Sequence, residues 1–450
     1  MMRLKIFLAV LLVASGCGGG SQTTTLTDTA SPTTTAAPAT TTAAPATTTL
    51  PPPNFELRGN LDAFSDQAQG AFKAIVDDEF TAMGAYKSGM AVAVFTDGRL
   101  WTYAIGDASA TAPMTTSTPT LIRSTSKTFE AALILDLVED GRFQLTDSLE
   151  SVLSAHPDYS SLDPTTINSA VTVHELLSMR SGIRPYAAGS GEANNTELIW
   201  VTIKPSWKPV DTLGLIRDPW VAPGEYEYSD SNNYLLGMVA ELHTGKDLSV
   251  LYRERFLNPL DLSAALLPDE PVPEGTARPY TDLAYWGGSG FGDMIEWDAI
   301  QYGATPDGWH EQDGRLAWAT AGIVSTPANI ARWGYELYSN NGSALSEQSR
   351  TILLDSISDE TISLAGQPQR YGYYVAERTF PLEDGTSLSV LGHPGGGAGY
   401  TSRVYYSPSL DMSLSILANS DLRYAQREGG CSEYGTADCI AWGLFKAYAE

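Results

Sequence analysis

Large apolar residues are spread unevenly along the 450-residue chain, and their spacing changes several times. Ile6 to Val13 form one short apolar run, and from Gly18 to Pro53 there are almost none. Beyond Asn54 the pattern becomes regular. Leu61 to Ala82 repeats at helical spacing, whereas Gly89 to Phe95 and Leu100 to Ile105 read as strands. Thr96-Asp97-Gly98-Arg99 between them predicts a hairpin, because Asp-Gly accepts the positive φ angles of a tight turn. The run from Phe129 to Val138 is apolar on nearly every side, the pattern of a helix buried mid-domain, and Gly141 closes it. Phe143 to Leu153 and Val173 to Met179 look helical and end at Ser181-Gly182.

Residues from about Arg184 to Gly224 are loop-like and carry Trp200, Trp207 and Trp220. A helix is expected to begin near Asn232. From Leu262 to Trp318 the chain is again irregular, rich in glycine, proline and aromatics. Long aromatic loops either line a functional cleft or pack against helices. Strand patterns return at Tyr371 to Glu377, Ser387 to Leu391, Ser402 to Ser407 and Met412 to Ala418. Glu383-Asp384-Gly385 and Pro408 to Asp411 are the expected turns, and Ala437 to Ala449 closes as an amphipathic helix. Strands at both ends with helices between them imply an α+β fold. One antiparallel sheet is then built from N- and C-terminal strands and flanked by helices, with a helical insertion over about residues 140–320. A site is expected where the insertion meets the sheet.

Composition narrows the picture. Acidic residues outnumber basic ones 53 to 27, a formal charge of -26, which argues against a nucleic-acid partner. Arg3 and Lys5, the short apolar core and the small Ala14-Ser15-Gly16 read as an export signal. Cys17 then stands where a bacterial lipobox places its lipidated cysteine, with Ala14 departing from the commoner leucine. The expectation is a segment 1–17 that exports the protein, either anchored by lipid on the outer side of the cell membrane or secreted. Residues 18–53, threonine, alanine and proline for the most part, cannot bury enough to offset ordering entropy and are expected to form a disordered linker. The folded domain is then 54–450. Cys431 and Cys439, eight positions apart, suggest a local disulfide in an exported protein. Two cysteines without a nearby histidine leave a zinc site short of ligands, so no metal and no cofactor are expected.

The candidate chemistry begins at Ser124 and Lys127. Three residues apart at the start of a helix, they share one face. An ammonium beside a hydroxyl is one way to make a nucleophile, and the unpaired amides of the first helical turn could receive an oxyanion. Taken singly the pair is weak, since a capping serine and a solvated lysine look the same. Two further clusters follow in order. Tyr228-Ser229-Asp230 sits on a loop entering a helix, where a phenol and an acid two apart can project together. His393-Pro394-Gly395-Gly396-Gly397 ends a strand, where glycines allow close approach of backbone to a ligand.

In these three motifs the chain resembles the serine β-lactamase and penicillin-binding superfamily, in its class C, DD-peptidase and esterase-like branch. The likeness covers roughly Asn54 to the end. Softer echoes are Leu176-Leu177 with Ser181-Gly182, Tyr234-x-Leu236-Gly237 and Ala321 to Thr326. The resemblance implies that Ser124 is acylated, that Lys127 activates it and that Tyr228 relays a proton. It further implies an oxyanion hole from the N–H groups of Ser124 and Gly396, with Asp230 and Gly395 touching substrate. His393 takes the place where many relatives carry lysine, and a structural turn residue is its alternative. Asp230 stands where asparagine is commoner, which weakens hydrogen bonding to an amide and favours esters. Met179 replaces a frequent histidine, with structural consequence only. Arg403 reads as a solvated strand residue or as an anchor for a substrate carboxylate.

Other apparatus is missing. There is no Gly-x-Ser-x-Gly, and His174-Glu175 lacks the second histidine of a zincin. D-alanyl-D-alanine peptides, β-lactams and small esters compete as substrates. The reading from another class is a silent binder of wall peptides or of a partner protein through the aromatic loops. The oligomeric state is not written in the sequence.

Overall fold

A computed structural model describes residues 55–449 except 58, 60, 84–87, 187–200, 202–203, 205, 283–293, 297–308, 365, 383–384, 398, 421, 423–430 and 432–433. The export segment 1–17 with Cys17, the linker 18–53, Trp200 and the Glu383-Asp384 turn lie outside the described residues. The described residues belong to one compact unit, Pro52–Glu450.

Eight strands form the main sheet. In chain order they are β1 (Met90–Thr96), β2 (Arg99–Ile105), β3 (Thr361–Leu364), β4 (Gln367–Tyr371), β5 (Ala376–Pro381), β6 (Ser387–Gly397), β7 (Tyr400–Ser407) and β8 (Met412–Ala418). Their spatial order is β3-β4-β5-β6-β7-β8-β1-β2, antiparallel throughout. Sequence-distant ends therefore meet in the middle, where Met90 pairs with Ala418 and Thr96 with Met412. The fold is α+β, with N- and C-terminal strands in one sheet.

Helices cover both faces. We label α1 (Asp66–Ala82), α2 (Lys127–Glu139), α3 (Ser231–Thr244), α4 (Pro327–Tyr338) and α5 (Thr436–Ala449). The strands alternate between the two cores, as a pleated sheet must. Val92 and Val94 of β1 join Leu414 and Ile416 of β8 in a core with Phe72 of α1 and Phe445 of α5. Ala93 and Phe95 point the other way, into the core that contains α2, α3 and α4. There α2 is buried almost all round, and Phe129 stacks on Trp333 of α4 at 3.9 Å.

Three expectations need correction. The helix expected over Phe143 to Leu153 is confined to Leu149–Leu153. Before it, Asp147 accepts from the Gln144 amide (2.7 Å), and the Leu149 amide bonds the Val171 carbonyl (2.7 Å). A short polar side chain has offered the backbone a non-helical partner. The single strand expected over Tyr371 to Glu377 is two strands joined by a turn, with Tyr374 at φ +51° and the Gly372 amide donating to the Val375 carbonyl. The irregular stretch after Leu262 contains a strand at Ala264–Leu266, which joins Ile323–Ser325 and Thr120–Leu121 in a small antiparallel sheet. That sheet ties the insertion to the segment just before Ser124.

Arg403 is neither solvated nor a free anchor. It is 5% exposed, and its guanidinium binds Asp438 of α5 (Nε to Oδ1 2.8 Å), which also holds Arg378 (2.8 Å) and Tyr405 (3.0 Å). Near α5, Cys431 and Cys439 are disulfide-bonded, their Cα atoms 5.7 Å apart. Burial alone would raise the Asp438 carboxyl, but the two guanidinium groups outweigh it and hold it at about 2.

Removing Asp438 leaves two buried cations facing each other, so Asp438→Ala is expected to cost about 3–5 kcal/mol in denaturant unfolding. The folded-state value lies below the unfolded one. The contribution is therefore complete above about pH 4 and is lost as pH falls through about 2. A wild-type stability profile that declines across that window, with the decline blunted in the variant, checks the assignment.

Candidate active site

The turn that carries Ser124 is fixed from behind. Residues Arg123–Ser126 form a 3₁₀ turn leading into α2, and Arg123 has φ +50°, a strained value for a residue with a side chain. Thr125 donates to the His393 carbonyl (3.0 Å), and Ser402 of β7 donates to the Ile122 carbonyl (2.5 Å). Gly395 of β6 lies against the same turn. A side chain there would start 2.4 Å from the Ile122 carbonyl oxygen and 3.0 Å from the Ser124 nitrogen, so the close approach requires glycine. From Thr120 to Leu135 only Ser124 is not buried. The exposed Gly396 follows at the open end of β6.

Lys127 is fully buried one turn below. Its Nζ donates to Ser124 Oγ at 3.2 Å, to the Thr320 carbonyl at 3.0 Å and to Thr320 Oγ1 at 2.5 Å, and it pairs with Asp230 Oδ1 at 2.7 Å. Thr320 Oγ1 in turn donates to Asp230 Oδ1 (2.5 Å). The Lys127 ammonium also lies 5.0 Å from the Tyr228 ring centroid, and the nearby Ser124 hydroxyl acts to lower the pKa of the Tyr228 phenol. The alcohol and amine of one turn thus meet the phenol of a second, distant stretch of chain.

Each partner is delivered by identifiable packing. The Tyr228 loop hangs on Met179, whose carbonyl accepts from the Glu227 amide (2.9 Å). Its sulfur receives the Ser229 amide (3.3 Å) and Asn232 Nδ2 (3.5 Å). Thr320 arrives on the helix Trp309–Ala321, which is kinked at Trp318. That helix approaches α3 at Gly237, where a Cβ would sit 2.9 Å from the Trp318 ring.

Electrostatics follow from enclosure. Burial lowers the proton affinity of Lys127, against the pull of Asp230. For Asp230 burial acts upward, yet the Lys127 charge and the hydrogen bonds from Lys127 and Thr320 hold it below its ordinary value. Burial pushes Tyr228 well up, so it is a phenol at neutral pH. Burial also pushes up Glu130, one turn beyond Lys127 and bonded to Asn233. Burial, then the Lys127 charge, push His393 down to about 3.

His393 is placed behind Tyr228 rather than against the serine. Its Nδ1 lies 2.7 Å from the Pro394 carbonyl, which can only accept, so Nδ1 carries the proton. Nε2 then accepts from Tyr371 (2.9 Å), and the ring lies 6.2 Å from that of Tyr228. With both nitrogens taken, it makes no hydrogen bond to Ser124 among the described residues.

Sequence reasoning missed Thr320, Glu130, Asn233 and Tyr371. The only signal for Thr320 was its place just before Ala321-Gly322. Of the aromatic loop residues, Trp207 packs near Trp318, with ring centroids 6.1 Å apart, and Trp220 is 39% exposed.

The beta-lactamase family model matches residues 76–429. The chain belongs to the beta-lactamase family. A D-aminopeptidase from Cereibacter sphaeroides is 24% identical over 368 residues, which cover 80% of this chain and 60% of that protein. The chain therefore spans about 60% of the length of the curated relatives it matches first. Among solved structures, the D-amino acid amidase from Ochrobactrum anthropi SV3 complexed with D-phenylalanine superimposes with a TM-score of 0.64. It is 22% identical and covers 86% of this chain and all of that one. The octameric penicillin-binding protein homologue from Pyrococcus abyssi gives 0.59 at 21% identity, over 83% of this chain and 76% of that one. These likenesses show a shared beta-lactamase fold.

The Lys127 side chain is expected to titrate below the ordinary lysine value of 10.5 and to move lower still in Asp230→Asn, because the carboxylate that favours the ammonium is gone. Nuclear magnetic resonance of the lysine ε-methylene group reads both shifts. The His393 ring is expected to show one neutral tautomer, protonated at Nδ1, from pH 5 to 8. Nitrogen chemical shifts that change through pH 6–7 contradict it.

Proposed function

We propose that the protein is a serine hydrolase that cleaves amide bonds through an acyl-enzyme on Ser124, on small substrates whose acyl part is a D-amino acid residue. The observation that carries this reading is the partly exposed Ser124 hydroxyl 3.2 Å from a buried lysine amine, with the Tyr228 ring centroid 5.0 Å from the same amine.

The roles follow from the opposite effects of burial. The amine's proton affinity is lowered and the phenol's is raised. Lys127 is thus the group that gives up its own proton to water first, and its freed lone pair takes the Ser124 proton as Oγ bonds the carbonyl carbon. Tyr228 stays a phenol and gives its proton to the leaving nitrogen, to be refilled from Lys127. The Ser124 and Gly396 N–H groups receive the oxyanion. Water then repeats the sequence on the acyl-enzyme and frees the acid. His393 and Tyr371 support the Tyr228 ring from behind.

The relatives bearing the names D-aminopeptidase and D-amino acid amidase favour a D-aminoacyl amide as substrate. A D-alanyl-D-alanine carboxypeptidase or a β-lactamase holds a substrate carboxylate, and Arg403, for which an anchoring role was one of two alternatives, is committed to Asp438. The reading retains export, with Cys17 as a lipid anchor on the outer side of the membrane, where D-amino acid peptides of a cell wall are met.

Incubation with a D-alanine thioester, quenched early, is expected to leave a D-alanyl adduct on the peptide that contains Ser124. Ser124→Ala should lose that adduct and at least about a thousandfold in kcat/KM for D-alanine p-nitroanilide. Lack of any adduct with amide, ester and penicillin probes alike would turn the reading towards a silent binder. Cys17→Ser is expected to shift the full chain from the detergent phase to the aqueous phase on partitioning; no shift rules out lipid at that residue.

A further inference from the structure

The reactive cleft contains one charged atom that the proton-transfer scheme leaves idle. Asp230 Oδ1 is occupied by Lys127 and Thr320, whereas Oδ2 accepts no hydrogen bond among the described residues. The Asp230 side chain nevertheless keeps 30% of its surface exposed, and Oδ2 is absent from the buried polar atoms that lack partners. A carboxylate oxygen next to Lys127 is therefore open to solvent. The contacts through Lys127 place Asp230 Oδ1 no farther than about 6 Å from Ser124 Oγ.

Resting on the hydrolase reading, we propose that Asp230 Oδ2 is a specificity-determining group that reads a free ammonium on the acyl part of the substrate, so that the site takes aminoacyl compounds with an unblocked α-amine. The spacing suits it. An α-nitrogen lies about 2.5 Å from its own carbonyl carbon, so a carbonyl seated on Ser124 brings that nitrogen to the carboxylate's edge. The charges around it suit it too. Burial favours the uncharged forms of Tyr228, Glu130 and His393, and the Lys127–Asp230 ion pair stands among them. In such surroundings an unfilled carboxylate oxygen favours a cation or a strong donor and repels a carboxylate or a bare carbonyl.

The objection is that an ammonium here approaches a second one, on Lys127. Its effect runs in the useful direction. A new cation beside Asp230 weakens the carboxylate's hold on Lys127 and disfavours the charged amine, so Lys127 releases a proton to water and gains the lone pair that accepts the Ser124 proton. The departure from asparagine at this position then has a purpose. An amide cannot supply the charge, and it cannot couple arrival of the amine to activation of the nucleophile.

The test separates recognition from chemistry. In the full chain carrying Ser124→Ala, calorimetry compares D-alanine amide with N-acetyl-D-alanine amide, and the comparison is repeated with Asp230→Asn and Asp230→Glu added. The free amine is expected to bind at least about tenfold more tightly. The preference should vanish with asparagine and return with glutamate. Equal binding of the two ligands, binding of neither, or a preference that survives Asp230→Asn would overturn the proposal. Because this measurement needs no acylation, a chain that never forms the Ser124 adduct loses the hydrolase reading while the ammonium preference is still decided.

Discussion

The structure depends on the enclosure of one ammonium group. Lys127 is wholly buried, and a charge removed from water costs several kcal/mol unless its protons are all matched. Here the matching oxygens come from Ser124 on the adjacent turn, Asp230 at the head of α3 and Thr320 on a helix almost two hundred residues later. None of these groups can move far without stranding the charge. The geometry that the proposed chemistry needs and the geometry that satisfies a buried cation are therefore the same, and Ser124 is held by a stability requirement.

The neighbours are consistent with that constraint. Enclosure favours the phenol form of Tyr228, the acid form of Glu130 and the neutral ring of His393 around the compensated Lys127–Asp230 pair. The scaffold around the pair is stiff at the places where it must be. Gly395 lets β6 lie against the Ser124 turn, Gly237 lets the Trp318 helix lie against α3, and the Met179 sulfur gathers the donors of the Tyr228 loop. A preorganised pocket of this kind needs little rearrangement when charge develops on a substrate.

Legibility from the sequence varied with the range of the interactions. The hairpin around Asp97-Gly98 and the strands over Met412 to Ala418 and Ser402 to Ser407 were readable, because alternation and turn chemistry are local. Phe143 to Leu153 misled because Asp147 captures a backbone amide before the helix can start. Tyr371 to Glu377 misled because a run of aromatics hides a turn whose Tyr373 amide is held by Ser356, seventeen residues upstream. Ser124 and Lys127 were visible as an i, i+3 pair, and Tyr228 as a motif. Arg403 was misjudged, since its partner Asp438 stands thirty-five residues away on another element.

By itself the sequence determined the α+β class, the joining of the two chain ends in one sheet, and the residue types that could make a nucleophile. These follow from short-range spacing, which any segment carries with it. Only the tertiary structure decided that Asp230 is bound to Lys127 through one oxygen and open through the other, that Thr320 bridges them, and that His393 faces Tyr371 instead of the serine. Those outcomes turn on which buried polar groups find each other when distant segments pack, and spacing along the chain carries no record of that.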